Sequence, residues 1–222
     1  RTQFQQLNAV TVEGTMAAGS SLGAGIDFLR NTAADILPSN FSIDYGGESR
    51  QYAEQGSALL VTFFLALIVI YLVLAAQFES WRDPLIILVS VPMSIAGALI
   101  FMTLGLATVN IYTQVGLITL IGLISKNGIL IVEFANQLQE RDGLERRHAI
   151  EKAAAIRLRP ILMTTVAMIV AMVPLLLATG PGAVGRFNIG LVIATGLAIG
   201  TLFTLFVVPA VYLVLSSKHS QA

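Results

Sequence analysis

The sequence contains no cysteine, which excludes disulfide bonds and thiolate metal ligands within its 222 residues. It is also poor in charge, because Asp, Glu, Lys and Arg make up only 12% of residues, about half the share usual in soluble domains. Thirteen basic residues balance thirteen acidic ones, so the basic excess that a nucleic-acid partner requires is missing. The long apolar runs hold no histidine, no pair of acids and no HExxH-type motif. We therefore expect neither an enzyme nor a metal or cofactor site.

Long apolar runs are what the sequence does have, and hydrophobic residues make up 55% of it. A helix that crosses a bilayer needs about 20 predominantly apolar residues. Five segments meet this requirement: 57–77, 84–104, 110–137, 160–178 and 187–215. We predict an α-helical membrane bundle of five transmembrane helices over residues 56–216. Pro92 should kink the second helix, and Pro160 suits the first turn of the fourth.

The distribution of basic residues predicts the orientation of the bundle. The connection 138–159 holds six of them, whereas the opposite connections, 105–109 and 179–186, hold only Arg186. By the positive-inside bias, 78–83, 138–159 and the tail 217–222 are cytoplasmic. Residues 1–55 then lie on the other side. The connection 138–159 is either a short amphipathic helix at the membrane interface or an ordinary solvated connector.

Residues 1–55 have a different pattern, which predicts a small α+β segment. Alternating apolar residues over 8–16 and 41–45 indicate strands, and helical spacing over 21–37 indicates a helix that ends at Pro38. Such a β-α-β unit is too small to bury a core, so its remaining strands must lie upstream or on another chain. The sequence begins at Arg1 and shows no signal peptide. We interpret it as a fragment of a longer protein.

Lys126 is a cation in the middle of the third predicted span. A charge at this depth costs several kcal/mol unless it is paired or hydrated, and it is therefore a functional candidate. The alternatives are a lysine that reaches the membrane surface and a purely structural ion pair. The only acid in the five spans is Glu133, roughly 10 Å further along the helix axis and out of contact. Lys126 is therefore either neutral or paired with a residue outside this sequence.

Other polar and small residues accompany Lys126. Thr119, Lys126 and Glu133 recur every seven residues and form a polar stripe on one helix face. Thr164 is a candidate partner in the next span, although membrane threonines usually bond back to their own helix. Four glycines in the spans indicate close helix packing; they are Gly116, Gly122, Gly196 and Gly200.

Several runs together carry a resemblance to a known family. They are GLISKNGILIVEFANQ (122–137), RLRPILMTT (157–165), FNIGLVIATGLAIGTLFTLFVVPAVY (187–212) and LVLAAQFESWRDPLIILVSVPMSIAGAL (72–99). The chain closely resembles the C-terminal part of resistance–nodulation–division (RND) efflux transporters of the hydrophobe/amphiphile branch. Members of this family are multi-pass pumps of the bacterial inner membrane. The five spans resemble the eighth to twelfth of twelve, and residues 1–50 resemble the end of a periplasmic porter subdomain.

The resemblance implies a function and assigns roles to residues. It implies proton antiport that drives export of hydrophobic or amphiphilic drugs. It also implies a homotrimer that works with a periplasmic adaptor and an outer-membrane channel. Lys126, Arg157 and Thr164 resemble the family's proton-relay lysine, arginine and threonine, whereas the proton-binding aspartates belong to a span in the N-terminal half that this sequence lacks. The alternative is a non-transporting, truncated membrane module or assembly partner.

Overall fold

The computed structural model describes residues 3–4, 6–15, 20, 22–38, 40–107 and 109–216, without the side chains of residues 48 and 55–60. The predicted tail, 217–222, lies outside the described residues. The elements are β1 (Gln3–Phe4), β2 (Leu7–Asn8), α1 (Leu22–Ile36), α2 (Gly47–Phe78), α3 (Asp83–Leu88), α4 (Ser90–Thr103), α5 (Ile111–Asp142), α6 (Arg146–Leu176) and α7 (Ala183–Leu215). Five segments are long and apolar enough to cross a membrane: Val61–Phe78 of α2, Asp83–Thr103, and α5, α6 and α7. The prediction of a helical membrane bundle is confirmed.

The second span is interrupted, as its proline predicts. Helices α3 and α4 are separated only by Val89, three residues before Pro92. Proline lacks an N–H for the carbonyl of residue 88, and its ring crowds that carbonyl, so the preceding turn is where a helix breaks. The third span instead begins cleanly, because Asn110 and Thr113 form a reciprocal capping box at the start of α5.

The charged connection 138–159 does not form a helix of its own. It is divided between the end of α5, a short turn at residues 143–145, and the first half of α6. The turn is possible because Gly143 adopts a left-handed conformation with φ 61°. Pro160 consequently lies in the interior of α6 and not in its first turn. Arg146 ties the start of α6 to the end of α7, since its Nη1 donates to the Ser216 carbonyl at 2.6 Å.

The N-terminal segment forms its helix but not its predicted strands. Helix α1 agrees with the prediction, whereas the described residues at 9–15 and 41–46 form no strand. The two strands present are a short antiparallel pair that joins Gln3 to Asn8 and Phe4 to Leu7. A strand persists only where its backbone groups find a neighbour, and the described residues offer none to the two longer segments. Apolar side chains such as Phe28 are exposed here.

Helix α7 is the centre of the bundle and packs against α4, α5 and α6. Its glycines allow this approach. A Cβ added at Gly196 would overlap the Leu120 side chain of α5, and one at Gly200 would lie 2.6 Å from the Ser94 Oγ of α4. The Ser94 hydroxyl also donates to the Gly196 carbonyl at 2.8 Å. The predicted packing role of these two glycines is confirmed.

The other two glycines differ from each other. A Cβ at Gly116 of α5 would lie 3.2 Å from the Val192 side chain of α7, so Gly116 also serves packing. Gly122 is exposed, and no described atom lies within 4 Å of a Cβ placed there. The packing prediction is therefore wrong for Gly122 within the described part of the chain, because this residue lies on the side of α5 that faces away from α7.

A chain of buried polar side chains joins three helices near the turn between α5 and α6, and we call it the polar clasp. Gln139 donates its side-chain amide to the Tyr212 hydroxyl, and that hydroxyl donates to Asn136 Oδ1. The Asn136 amide donates in turn to Asp83 Oδ2 at 3.0 Å. All four residues are buried. Buried polar groups in such a connected network fix the relative positions of the elements that carry them, here α3, α5 and α7.

A matched pair of glycine substitutions tests the packing against α7. Gly200→Ala should destabilise the protein by about 1–3 kcal/mol, because the new methyl group overlaps Ser94 and Ile124. Gly122→Ala adds the same methyl group in open space and should be neutral or stabilising by up to about 1 kcal/mol, since alanine favours the helix. The measurement is the thermal unfolding midpoint of the two variants in detergent. Equal midpoints would contradict the packing assignment.

Candidate functional site

Lys126 lies on the exposed side of α5, while its neighbours Ser125 and Asn127 are buried. Among the described residues it takes part in no hydrogen bond or ion pair. Glu133, the other charged residue of the stripe, accepts a bond from Gln137 of the next turn at 3.4 Å. The expectation that Glu133 does not pair with Lys126 agrees with this geometry. The described part of the bundle therefore leaves Lys126 without a counter-charge on an outward face in the middle of a span.

Two contacts fix the relative heights of α5 and α6. The Asn127 side-chain amide lies 3.4 Å from the Thr165 hydroxyl. Seven residues further along α5 and eight residues back along α6, the Arg157 Cζ lies 4.5 Å from the centre of the Phe134 ring. Both intervals are close to two helical turns, so the two helices run antiparallel in one register. Lys126 thus lies within one turn of the level of Thr164, although the structure shows no contact between them.

The Thr164 hydroxyl is suited to accept a hydrogen bond from a cation. It is half-buried, and it donates its own proton to the Ile161 carbonyl at 3.1 Å. A threonine hydroxyl has one donor and two acceptor lone pairs. With its proton committed to its own helix, Thr164 can accept from an ammonium group but has no second proton to give. The sequence predicted this back-bond as the usual behaviour of membrane threonines.

A buried polar cluster behind Lys126 joins α5, α6 and α7. The Asn127 amide is 3.2 Å from the Thr201 hydroxyl, and the hydroxyls of Thr165 and Thr201 are 3.3 Å apart. Asn127 Oδ1 is buried without a hydrogen-bond partner among the described atoms. The cluster holds the helix faces that carry Lys126 and Thr164 in place. The sequence analysis missed Thr201. Its position directly after Gly200, where α7 packs closely on its neighbours, could have marked its hydroxyl as a contact between helices.

Arg157 is the third residue singled out from the sequence, and the structure places it two turns from Thr164 on α6. Its guanidinium lies over the Phe134 ring of α5, and its buried Nε has no hydrogen-bond partner among the described atoms. Phe134 was not anticipated. Asp83 was also missed: the sequence analysis placed it in the connection 78–83, whereas its side chain is fully buried in the polar clasp.

Comparisons with known proteins identify the family of the chain. A model of the AcrB/AcrD/AcrF family matches residues 2–216. The chain belongs to this family. The resemblance of its sequence to the RND efflux transporters is thereby confirmed.

Three relatives illustrate the range within the AcrB/AcrD/AcrF family. An uncharacterized transporter of Haemophilus influenzae is 51% identical over 98% of the chain and 22% of its own length. The multidrug export protein AcrF of Escherichia coli is 35% identical over 96% of the chain and 20% of its own length. The toluene efflux pump membrane transporter TtgB of Pseudomonas putida is 37% identical over 97% of the chain and 20% of its own length. The chain thus spans about a fifth of the curated relatives that it matches.

Two threonines of α7 test the polar cluster. Thr201→Val removes a hydroxyl that contacts other helices, and it should destabilise the protein by about 1 kcal/mol, the usual size of an interhelical bond in membranes. Thr204→Val is the matched control, because Thr204 is equally buried but donates only to the Gly200 carbonyl of its own helix at 2.8 Å. Thermal unfolding in detergent gives both values. If Thr204→Val were the more damaging change, the cluster would not join the helices as described.

Proposed function

We propose that this chain is part of a proton-motive-force-driven efflux permease of the bacterial inner membrane. Membership of the AcrB/AcrD/AcrF family supports this, because AcrF and TtgB carry names that describe multidrug export and toluene efflux. The single observation that supports the proton-coupled part is Lys126, which lies on an outward mid-span face of α5 with no counter-charge among the described residues. Its cost in a bilayer is several kcal/mol unless a partner compensates it.

The partner in this proposal is a pair of aspartates on a span of the N-terminal half, as the family resemblance implies. While both carboxylates are ionised, they hold the Lys126 ammonium by charge-assisted hydrogen bonds. When protons enter from the periplasm and neutralise them, that attraction is lost. The ammonium then turns toward the Thr164 hydroxyl or a neighbouring acceptor. Proton binding by the aspartates is thereby coupled to a movement of the Lys126 ammonium from the aspartate-bearing helix toward α6.

This local exchange acts on the rest of the protein through the packing of α5 and α6. Both helices are joined to α7 by the cluster of Asn127, Thr165 and Thr201. In the proposal, a shift of Lys126 therefore alters the packing of all three helices. A charge change that biases a bundle with two arrangements is the general form of such switches. In the proposal, the periplasmic parts of a homotrimer respond by passing hydrophobic or amphiphilic drugs to an adaptor and an outer-membrane channel.

A chimeric transporter tests this function. Residues 1–222 replace the matching segment of AcrF, and the chimera is produced in an efflux-deficient E. coli strain. We expect the chimera to restore drug resistance and Lys126→Ala to abolish it, because the carboxylates then lose their counter-charge. Val115→Ala, an exposed apolar position of the same helix, should leave resistance intact. The readout is the minimal inhibitory concentration, with protein amounts in the membrane compared by immunoblot.

The outcomes separate the proposal from its alternative. Full resistance with Lys126→Ala would contradict a relay through this lysine. Resistance from residues 1–222 expressed alone would contradict the claim that the carboxylates lie outside them. A chimera that reaches the membrane in normal amounts but never restores resistance would favour a non-transporting membrane module.

The proposed orientation places residues 138–159 in the cytoplasm and residues 1–55 in the periplasm. Because the chain has no cysteine, single cysteines can report on each side in a chimera whose host part is also cysteine-free. Arg147 lies in the first turn of α6 and Val184 in the first turn of α7, and their side chains are 73% and 69% exposed. In spheroplasts, a membrane-impermeant maleimide should label Val184→Cys at once and Arg147→Cys only after permeabilisation. The reverse pattern would invert the orientation.

A further inference from the structure

The Phe134 ring is the one close partner that the described residues provide for the Arg157 guanidinium. Arg157 Cζ lies 4.5 Å from the ring centre, well within the range of a cation–π contact. The side chain is half-buried, and its Nε is enclosed without a hydrogen-bond acceptor. A buried cation that lacks hydrogen bonds depends on whatever other negative potential is near. Here that potential is the face of an aromatic ring.

The position of this contact matters because it fixes where the charge of Arg157 lies. An arginine side chain is long and flexible, and one near the end of a membrane helix extends toward water if nothing retains it. Arg159, two residues further on, is exposed. Arg157 instead lies against α5, two turns from Thr164 and beside the helix face of Glu133. Without the ring, nothing among the described residues would keep the guanidinium there.

We propose that Phe134 is a positioning residue of the proton relay, which holds the Arg157 guanidinium against α5 by a cation–π contact. This rests on the proposed function, because it assumes that Arg157 belongs to the relay. The ring touches neither a proton nor a substrate and acts only through Arg157. Its negative face stabilises the guanidinium at this half-buried position, where part of the side chain is removed from water. The quadrupole of the ring, and not its volume, is therefore the property that transport requires.

Graded fluorination of the ring tests this property without changing its shape. Mono-, di- and trifluorinated phenylalanines are introduced at position 134 of the AcrF chimera by stop-codon suppression, since each fluorine withdraws density from the ring face. The initial rate of dye efflux should fall stepwise with the number of fluorines. The same series at Phe101 is the control, because Phe101 is also half-buried but carries no cation over its ring among the described residues. Its efflux rates should not change.

Conventional substitutions give an independent measure. Phe134→Leu keeps most of the volume and loses the ring face, so efflux should fall roughly three- to thirtyfold, the ratio that corresponds to a cation–π contact of ordinary strength. Phe134→Tyr keeps the ring and should restore most of the rate. Phe101→Leu should have little effect. Phe134→Met replaces the leucine variant if that variant reaches the membrane in reduced amounts.

The result separates this inference from the function on which it rests. A chimera with natural phenylalanine that shows no efflux would overturn the proposed function, and the role of Phe134 with it. A chimera that transports normally but gives a flat fluorination series at position 134 would overturn only the role of Phe134. Equal losses for Phe134→Leu and Phe101→Leu would also overturn it, because ring volume alone would then explain the effect.

Discussion

The close approach of α7 to α4 and α5 is the constraint on which the rest of the structure depends. In a bilayer the hydrophobic effect does not drive helices together, since lipid tails are as apolar as leucine. What holds them is packing and a few buried hydrogen bonds, and both require short distances. Gly196 and Gly200 provide these distances and let Ser94 bond to the backbone of α7. Once α7 occupies one side of α5, the opposite side must face outward.

This arrangement decides what Lys126 can do. Had α5 been rotated by half a turn, the lysine would face α7, whose Val192 and Leu197 are fully buried, and a charge there would be removed from water. Instead Asn127 takes the inward position and bonds to Thr165 and Thr201. Asn127 therefore joins the helices, while Lys126 is left on the outward face, where the proposed function requires it. The same register brings Phe134 to Arg157 two turns away.

The sequence predicted the helices well but not their faces, and the reason is physical. Length and hydropathy located all five spans, because the thickness of the bilayer fixes the length of a spanning helix, and helical spacing located α1. A soluble helix reveals its inner face by an apolar stripe, whereas α7 is apolar all round, so no stripe marks the side that meets α5. Asp83 could not be found for a related reason, since its burial depends on Asn136 and Tyr212, far away in the sequence. The predicted strands did not form, because the described residues offer their backbone groups no neighbouring strand.

The polar clasp crosses the bundle near the turn between α5 and α6, but its chemistry excludes it from carrying protons. A hydroxyl such as that of Tyr212 can accept one proton while it releases another, whereas a neutral carboxamide donates and accepts hydrogen bonds without exchanging its protons readily. Asn136 lies between Tyr212 and Asp83 in this series of hydrogen bonds, and Gln139 is its last member. The clasp therefore orders α3, α5 and α7 without linking them as a proton path. Under the proposed function, proton binding changes the charge that faces the outward side of α5. The clasp holds one end of α5 in place while the part of the helix around Lys126 moves.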